Sequence, residues 1–174
     1  MYKIFGNKLD FAVEVDISTK KWESRTLLWL KGEKLGDWED KNLIAPFFGS
    51  LKRLAVSYNK LWLDELAGLS CLETFLKINP FYIDPNRFYD LSESEQESLV
   101  RFDKFILDWE ENFNNWDINS VYCDNGIKFL WIWRKHEYVE RSRYLNELQF
   151  HNVKLEIIQD IYTSLSFLIP KVYE

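Results

Sequence analysis

The chain has 174 residues, the size of one domain. Its 47% apolar content supplies a core and argues against disorder, and six glycines with four prolines exclude a collagen-like or low-complexity chain. Twenty-two Lys and Arg against 28 Asp and Glu leave a formal charge of −6. That is the wrong sign for general binding to nucleic acid or an anionic membrane, because neutralising phosphates takes a basic face. No run of about 18 apolar residues predicts a transmembrane helix. The opening Met1-Tyr2-Lys3-Ile4-Phe5-Gly6 lacks the apolar stretch of a secretory signal. Cys71 and Cys123 lack metal-ligand spacing and read as two buried free thiols, which fits a cytoplasmic protein.

In chain order, Phe11, Val13, Val15 and Ile17 alternate with polar neighbours and predict a half-buried strand. Residues 18–24 read as a turn, Thr26 to Leu30 as a strand covered on both faces, and Lys31-Gly32-Glu33-Lys34 as a turn. A short strand from Leu35 to Trp38 then closes a hairpin. Pro46 suits a first helical turn, so a helix is predicted from near Ala45, burying Phe47, Leu51, Leu54 and Ala55. A second helix spans Leu69 to Lys77 and stops before Pro80. Residues 79–90 form the longest expected loop.

Ser92 and Glu95 are spaced as a capping box and start a third helix. Residues 105–109 read equally as its continuation or as a strand. A hairpin follows, with Ile118 to Tyr122 and Ile127 to Trp133 joined by Asp124-Asn125-Gly126, whose residues tolerate positive φ. Another short strand is expected within Val139 to Leu145. Asn152 caps a final helix that buries Val153, Ile157, Ile158, Ile161 and Leu165 and ends at Pro170. These elements make one α+β domain over residues 1–174: an antiparallel sheet with helices packed on it, the C-terminal helix among them.

Chemistry is harder to find. No Gly-rich phosphate loop, HExxH or GxSxG occurs, and His136 and His151 have no partner at metal-ligand or triad spacing. No catalytic residue, metal or cofactor is expected, and the chain reads as a non-enzyme. The acids are the informative feature. Between Asp84 and Asp124 eleven carboxylates face only Arg87, Arg101 and Lys104, a local formal charge of −8. Each acid alone reads as a solvated position. Together they would set up a one-sided field that speeds encounter with a basic partner. The candidate partner-binding residues are Glu93, Glu95, Glu97, Asp108, Glu110, Glu111 and Asp117, with Phe113 and Trp116 as aromatic anchors. Tyr82 and Tyr89 are further exposed aromatics of this kind. Trp109 and Trp116 beside paired acids also allow a sugar platform, either as a non-catalytic carbohydrate-binding module or as a glycosidase, whereas Trp29, Trp131 and Trp133 read as core.

Four segments carry a resemblance: Gly6-Asn7 followed by Phe11-Ala12-Val13-Glu14; the Gly32 to Gly36 hairpin; Glu111-Asn112-Phe113 before a strand; and Asn125-Gly126-Ile127-Lys128-Phe129-Leu130-Trp131. Together they resemble the immunity protein 42 family, bacterial antidotes to polymorphic toxins of the contact-dependent growth inhibition type. The resemblance runs along most of the chain, but residues 58–90 match no family pattern. It implies a small cytoplasmic protein, monomeric or weakly dimeric, without enzymatic activity. Its partner would be the C-terminal toxin domain of its own lineage, most simply a nuclease whose basic substrate face an acidic protein can occlude.

Overall fold

The alternation at residues 11–17 does build a strand, though one buried on both faces from Phe11 to Val15 rather than half-buried, and a second strand that the sequence reading left unassigned pairs with it. The computed structural model describes residues 1–17, 23–84, 91–107, 109, 111–134 and 138–169. Its first sheet comprises β1 (Tyr2–Gly6), β2 (Phe11–Ile17), β3 (Glu23–Leu30), β4 (Glu33–Leu35) and β5 (Asn42–Leu43). All are antiparallel, in the order β1-β2-β3-β4, with β5 pairing with the Glu23 end of β3. Lys31 and Gly32 both take positive φ, the geometry of a tight hairpin whose twist matches its strands.

Four helices follow from the 3.6-residue stripes: α1 (Ile44–Val56), α2 (Cys71–Ile78), α3 (Glu93–Phe102) and α4 (Leu155–Ser166). The second sheet is β6 (Trp116–Cys123), β7 (Gly126–Trp133) and β8 (Gln149–Lys154), in that order and antiparallel. Asp124 and Asn125 take positive φ in the β6–β7 turn.

One main core forms where α1, α4 and the second sheet meet the same face of the first sheet. Phe11, Val13, Val15, Leu28 and Leu30 meet Phe47, Leu51 and Leu54 of α1, Ile158, Ile161 and Leu165 of α4, and Phe129 and Trp131 of β7. Phe11 stacks on Phe129 with centroids 5.5 Å apart, and Trp131 donates its indole N–H to Glu33 Oε2 at 2.8 Å, joining the two sheets. Each fully buried large side chain of this kind contributes about 1.5–3 kcal/mol. A smaller core of Phe75, Tyr82, Leu130 and Ile132 lies on the other face of the second sheet.

The α+β class, the antiparallel pairing and the C-terminal helix agree with the sequence reading. Several details do not. The strand expected at Leu35 to Trp38 is Glu33–Leu35, and Trp38 lies beyond it. The strand expected within Val139 to Leu145 is instead 3-10 helical, Tyr138–Glu147. Asn152 does not cap the last helix: it pairs with Lys128 inside β8, and α4 begins three residues later, at Leu155. Over residues 105–107 the open question resolves as neither long helix nor strand, and Asp108 lies outside the described residues. After α3, Asp103–Phe105 form a 3-10 turn, and Ile106 makes a single bridge to Asn119. Pro170 lies outside the described residues. Among the described residues no helix is long and apolar enough to cross a membrane.

Candidate functional site

The five described candidate acids fall on three elements, and two of them, Glu95 and Asp117, are engaged within the chain. Ser92 and Glu95 form the expected capping box: the Glu95 carboxylate accepts from the Ser92 backbone N–H at 3.0 Å and from its hydroxyl at 2.7 Å. Glu95 is therefore committed to starting α3. Glu93 and Glu97 are exposed on the same helix, and Glu111 is exposed in a 3-10 turn, Glu111–Phe113. Asp117 is mostly covered, and its Oδ1 accepts from Arg134 Nε at 3.0 Å and from a terminal nitrogen at 2.5 Å. Asp108, Glu110 and Tyr89 lie outside the described residues.

The aromatic anchors need correction. Phe113 is buried and stacks on Phe47 at 5.9 Å, and Tyr82 belongs to the smaller core, where burial pushes its hydroxyl pKa up. Trp116 is half-buried, edge-on to Trp133 at 4.7 Å. Trp109 is buried and presents no sugar platform; Trp131 is buried in the core as expected, whereas Trp133, expected there too, is 43% exposed. Trp29, expected in the core as well, is only half-buried.

Two adjoining hollows open between α2, α3 and β6. The smaller, about 380 Å³, is lined by Trp109, Phe113, Asn114 and Arg134 among others, and the larger, about 770 Å³, by Pro80, Phe81, Leu99, Val100 and Arg141 among others. Asn79, Asp103, Ile106 and Asp117 border both. Asn79 Nδ2 donates to Asn119 Oδ1 at 2.6 Å and to the Phe75 carbonyl, pinning the end of α2 to β6. The hollows carry Asp103 and Asp117 against Arg134 and Arg141, so their walls have no net charge sign. A glycosidase needs one carboxyl in an apolar surround, but Asp117 sits on a guanidinium. Among the described residues no group of three His, Cys, Asp or Glu is placed to hold a metal. Cys71 and Cys123 are unbridged and half-buried, and burial raises the Cys123 thiol pKa.

A different constellation occupies the first sheet's other face, the one turned away from the core. Register places Tyr2, Ile4, Glu14, Leu27, Trp29 and Leu43 there, together with the charged Asp16, Glu23, Arg25 and Lys34, because directly opposed residues of antiparallel strands share a face. At its centre Glu14 is 7% exposed and accepts three hydrogen bonds: Tyr2 hydroxyl at 2.7 Å, Lys8 Nζ at 2.6 Å and Trp29 indole at 2.8 Å. Burial alone would raise the Glu14 carboxyl pKa, but these donors outweigh it and hold the carboxyl below its ordinary value. The same bond raises the Tyr2 hydroxyl pKa. Lys8 Nζ sits 4.0 Å from the Trp29 ring centroid, and Trp38 packs edge-on against Tyr2 at 5.8 Å. Sequence reasoning missed this group because β1 was unassigned. The Tyr2, Ile4 alternation was its only signal.

The family model for immunity protein 42 matches residues 1–167. Comparison with curated proteins gives no match. Among solved structures, a CdiI from Burkholderia dolosa AUO158 has the same fold, with a TM-score of 0.62 at 12% identity over 95% of this chain and 99% of that one. With the model matching nearly its whole length, the chain belongs to the immunity protein 42 family.

Proposed function

We propose that the chain is a cytoplasmic antidote that binds the C-terminal toxin domain of its own lineage, in a contact-dependent growth inhibition system, and neutralises it without catalysis. The observation that carries this reading is the family match over residues 1–167. The fold shared with a CdiI and the formal charge of −6 are consistent with it. A nuclease toxin must present a basic face to hold phosphates, and an acidic monomer or weak dimer can cover that face by competing for the same Arg and Lys. An interface of roughly 1,200–2,000 Å² is expected.

Co-expression with the C-terminal domain of the toxin encoded beside this gene tests the reading. Growth should be restored, and the two proteins should co-purify. Continued killing by a well-expressed toxin domain would reject it. The half-exposed Trp29 and Trp38 favour one other reading, a carbohydrate-binding module. That reading requires a saturable fluorescence change on titration with oligosaccharides in the absence of any protein partner.

A further inference from the structure

We infer that the solvent face of the first sheet, built on Tyr2, Ile4, Trp29, Trp38 and Leu43, is where the toxin domain docks, through an apolar patch flanked by Lys and Arg. The inference rests on the antidote reading and deepens it by naming the surface.

First, the outer face departs in part from sheet patterning. An antiparallel sheet with one solvated face ordinarily turns polar residues outward. Here α1, α4 and the second sheet share a core with the opposite face, while the outer face bears large apolar side chains beside the charged Asp16, Glu23, Arg25 and Lys34. Tyr2 is 54%, Ile4 42% and Leu43 55% exposed, and Trp29 and Trp38 are half-buried. Tyr2, Ile4 and Trp29 surround Glu14 and Trp38 adjoins Tyr2, while Leu43 lies beyond Arg25. Exposed apolar groups gathered in this way mark an interaction site, and Trp and Tyr are the residues that most often dominate binding energy.

Second, the surface is held ready. Glu14 fixes the Tyr2 and Trp29 rings by hydrogen bonds, and Tyr2 in turn supports Trp38. Rings already in place lose little freedom on binding, which lowers the entropic cost of association.

Charge selects the occupant. Asp37, Glu39 and Asp40 are exposed and flank Trp38, and none of them is in an ion pair among the described residues. Of the cations described nearby, Lys8 is matched by Glu14 and Lys41 by Glu23 at 3.9 Å, while Arg25 and Lys34 on the same face only partly offset these three acids. A basic partner is favoured, whereas a second copy of this chain would bring like acids together. The hollow between α3 and β6 offers no such bias, because Asp117 there is paired with Arg134.

The test is affinity for the neighbouring gene's toxin domain, in catalytically inactive form, with purification tags on the C-terminus of this chain. Trp38→Ala and the double variant Ile4→Arg/Leu43→Arg should each weaken binding roughly 100-fold, with circular dichroism and melting unchanged. Val100→Arg, at an exposed position in the α3 hollow, should bind as the wild type does. Wild-type affinity in well-folded Trp38 and Ile4/Leu43 variants would overturn the inference and leave the antidote reading intact. So would a wild-type dimer that these variants split without weakening toxin binding. Failure of the wild type itself to bind would instead remove the antidote reading and this surface with it.

Discussion

Asn112 Nδ2 donates to the Thr26 carbonyl at 2.7 Å, inside the protein and 86 residues away in sequence. The Asn112 carbonyl accepts from the Asp37 N–H at 2.9 Å, so one residue clamps the segment before β6 to the middle of β3 and to the loop after β4. Gly36 makes room for it: φ is +100°, and a Cβ there would lie 3.0 Å from the Phe113 ring. Asn112→Ala leaves the Asp37 contact but strips the buried partner from Thr26, and should cost about 1–3 kcal/mol in urea unfolding. An unchanged midpoint would show that the clamp adds nothing to stability.

The Glu14 carboxyl is a stronger acid in the folded protein than its ordinary value of 4.5, so folding favours its ionised form. The stability it supplies is full above that value and is lost as pH falls through the lower folded-state value. Glu14→Gln should therefore cost about 1.5–3 kcal/mol near neutral pH, because one of the two accepting oxygens becomes an N–H donor and the charge opposite Lys8 is lost. It should also remove part of the acid-side decline expected as pH falls from about 5 through the lowered folded-state value. Parallel denaturation profiles for both proteins across that interval would contradict the assignment.

Elements with strong periodicity were legible in the sequence, because burial on one face writes itself into alternation or a helical stripe. β2, whose other face is also covered at Ala12 and Glu14, the β6–β7 hairpin and α4 are examples. Edge strands are not written this way. β1 exposes four of its five residues, so it has little core signal, and β8 ends in Asn152 and Lys154, which look like a helix entrance. The acids were countable, but their directions were not: whether Asp117 meets solvent or Arg134 depends on where β7 ends, and spacing along the chain carries no such information. Phe113 shows the same limit, since a lone aromatic in an acidic stretch fits an exposed anchor as well as the core position it occupies beside Phe47. The Glu95 cap could be read because its two partners lie three residues apart.

The turn between β6 and β7 divides two demands among its residues. Asp124 and Asn125 carry the positive φ values, 46° and 61°. Gly126 does not, but a Cβ there would lie 2.6 Å from the Val153 carbonyl oxygen of β8. Gly126→Ala should force the two backbones apart and cost roughly 1–3 kcal/mol. Asn125→Gly should stay within about 0.5 kcal/mol, because glycine adopts the same φ freely. Thermal melts of the two variants that order the other way would refute this division of roles.

The carboxylates around Trp38 should act on the speed of toxin capture more than on the lifetime of the complex. They are exposed and mutually repulsive, so they contribute mainly at range, where opposite charge steers approach. Replacing Asp37, Glu39 and Asp40 together with Asn, Gln and Asn should lower the association rate roughly 10-fold at 50 mM salt. The gap should nearly close at about 0.5 M, where the screening length has shrunk to a few ångströms. Dissociation should change little, because the apolar contacts of Tyr2, Trp29 and Trp38 are untouched. Stopped-flow measurement across that salt range separates the two contributions. An association rate equal to wild type at 50 mM would place the steering charges elsewhere on the molecule, with exposed Glu93, Glu97 and Glu111 the next group to neutralise.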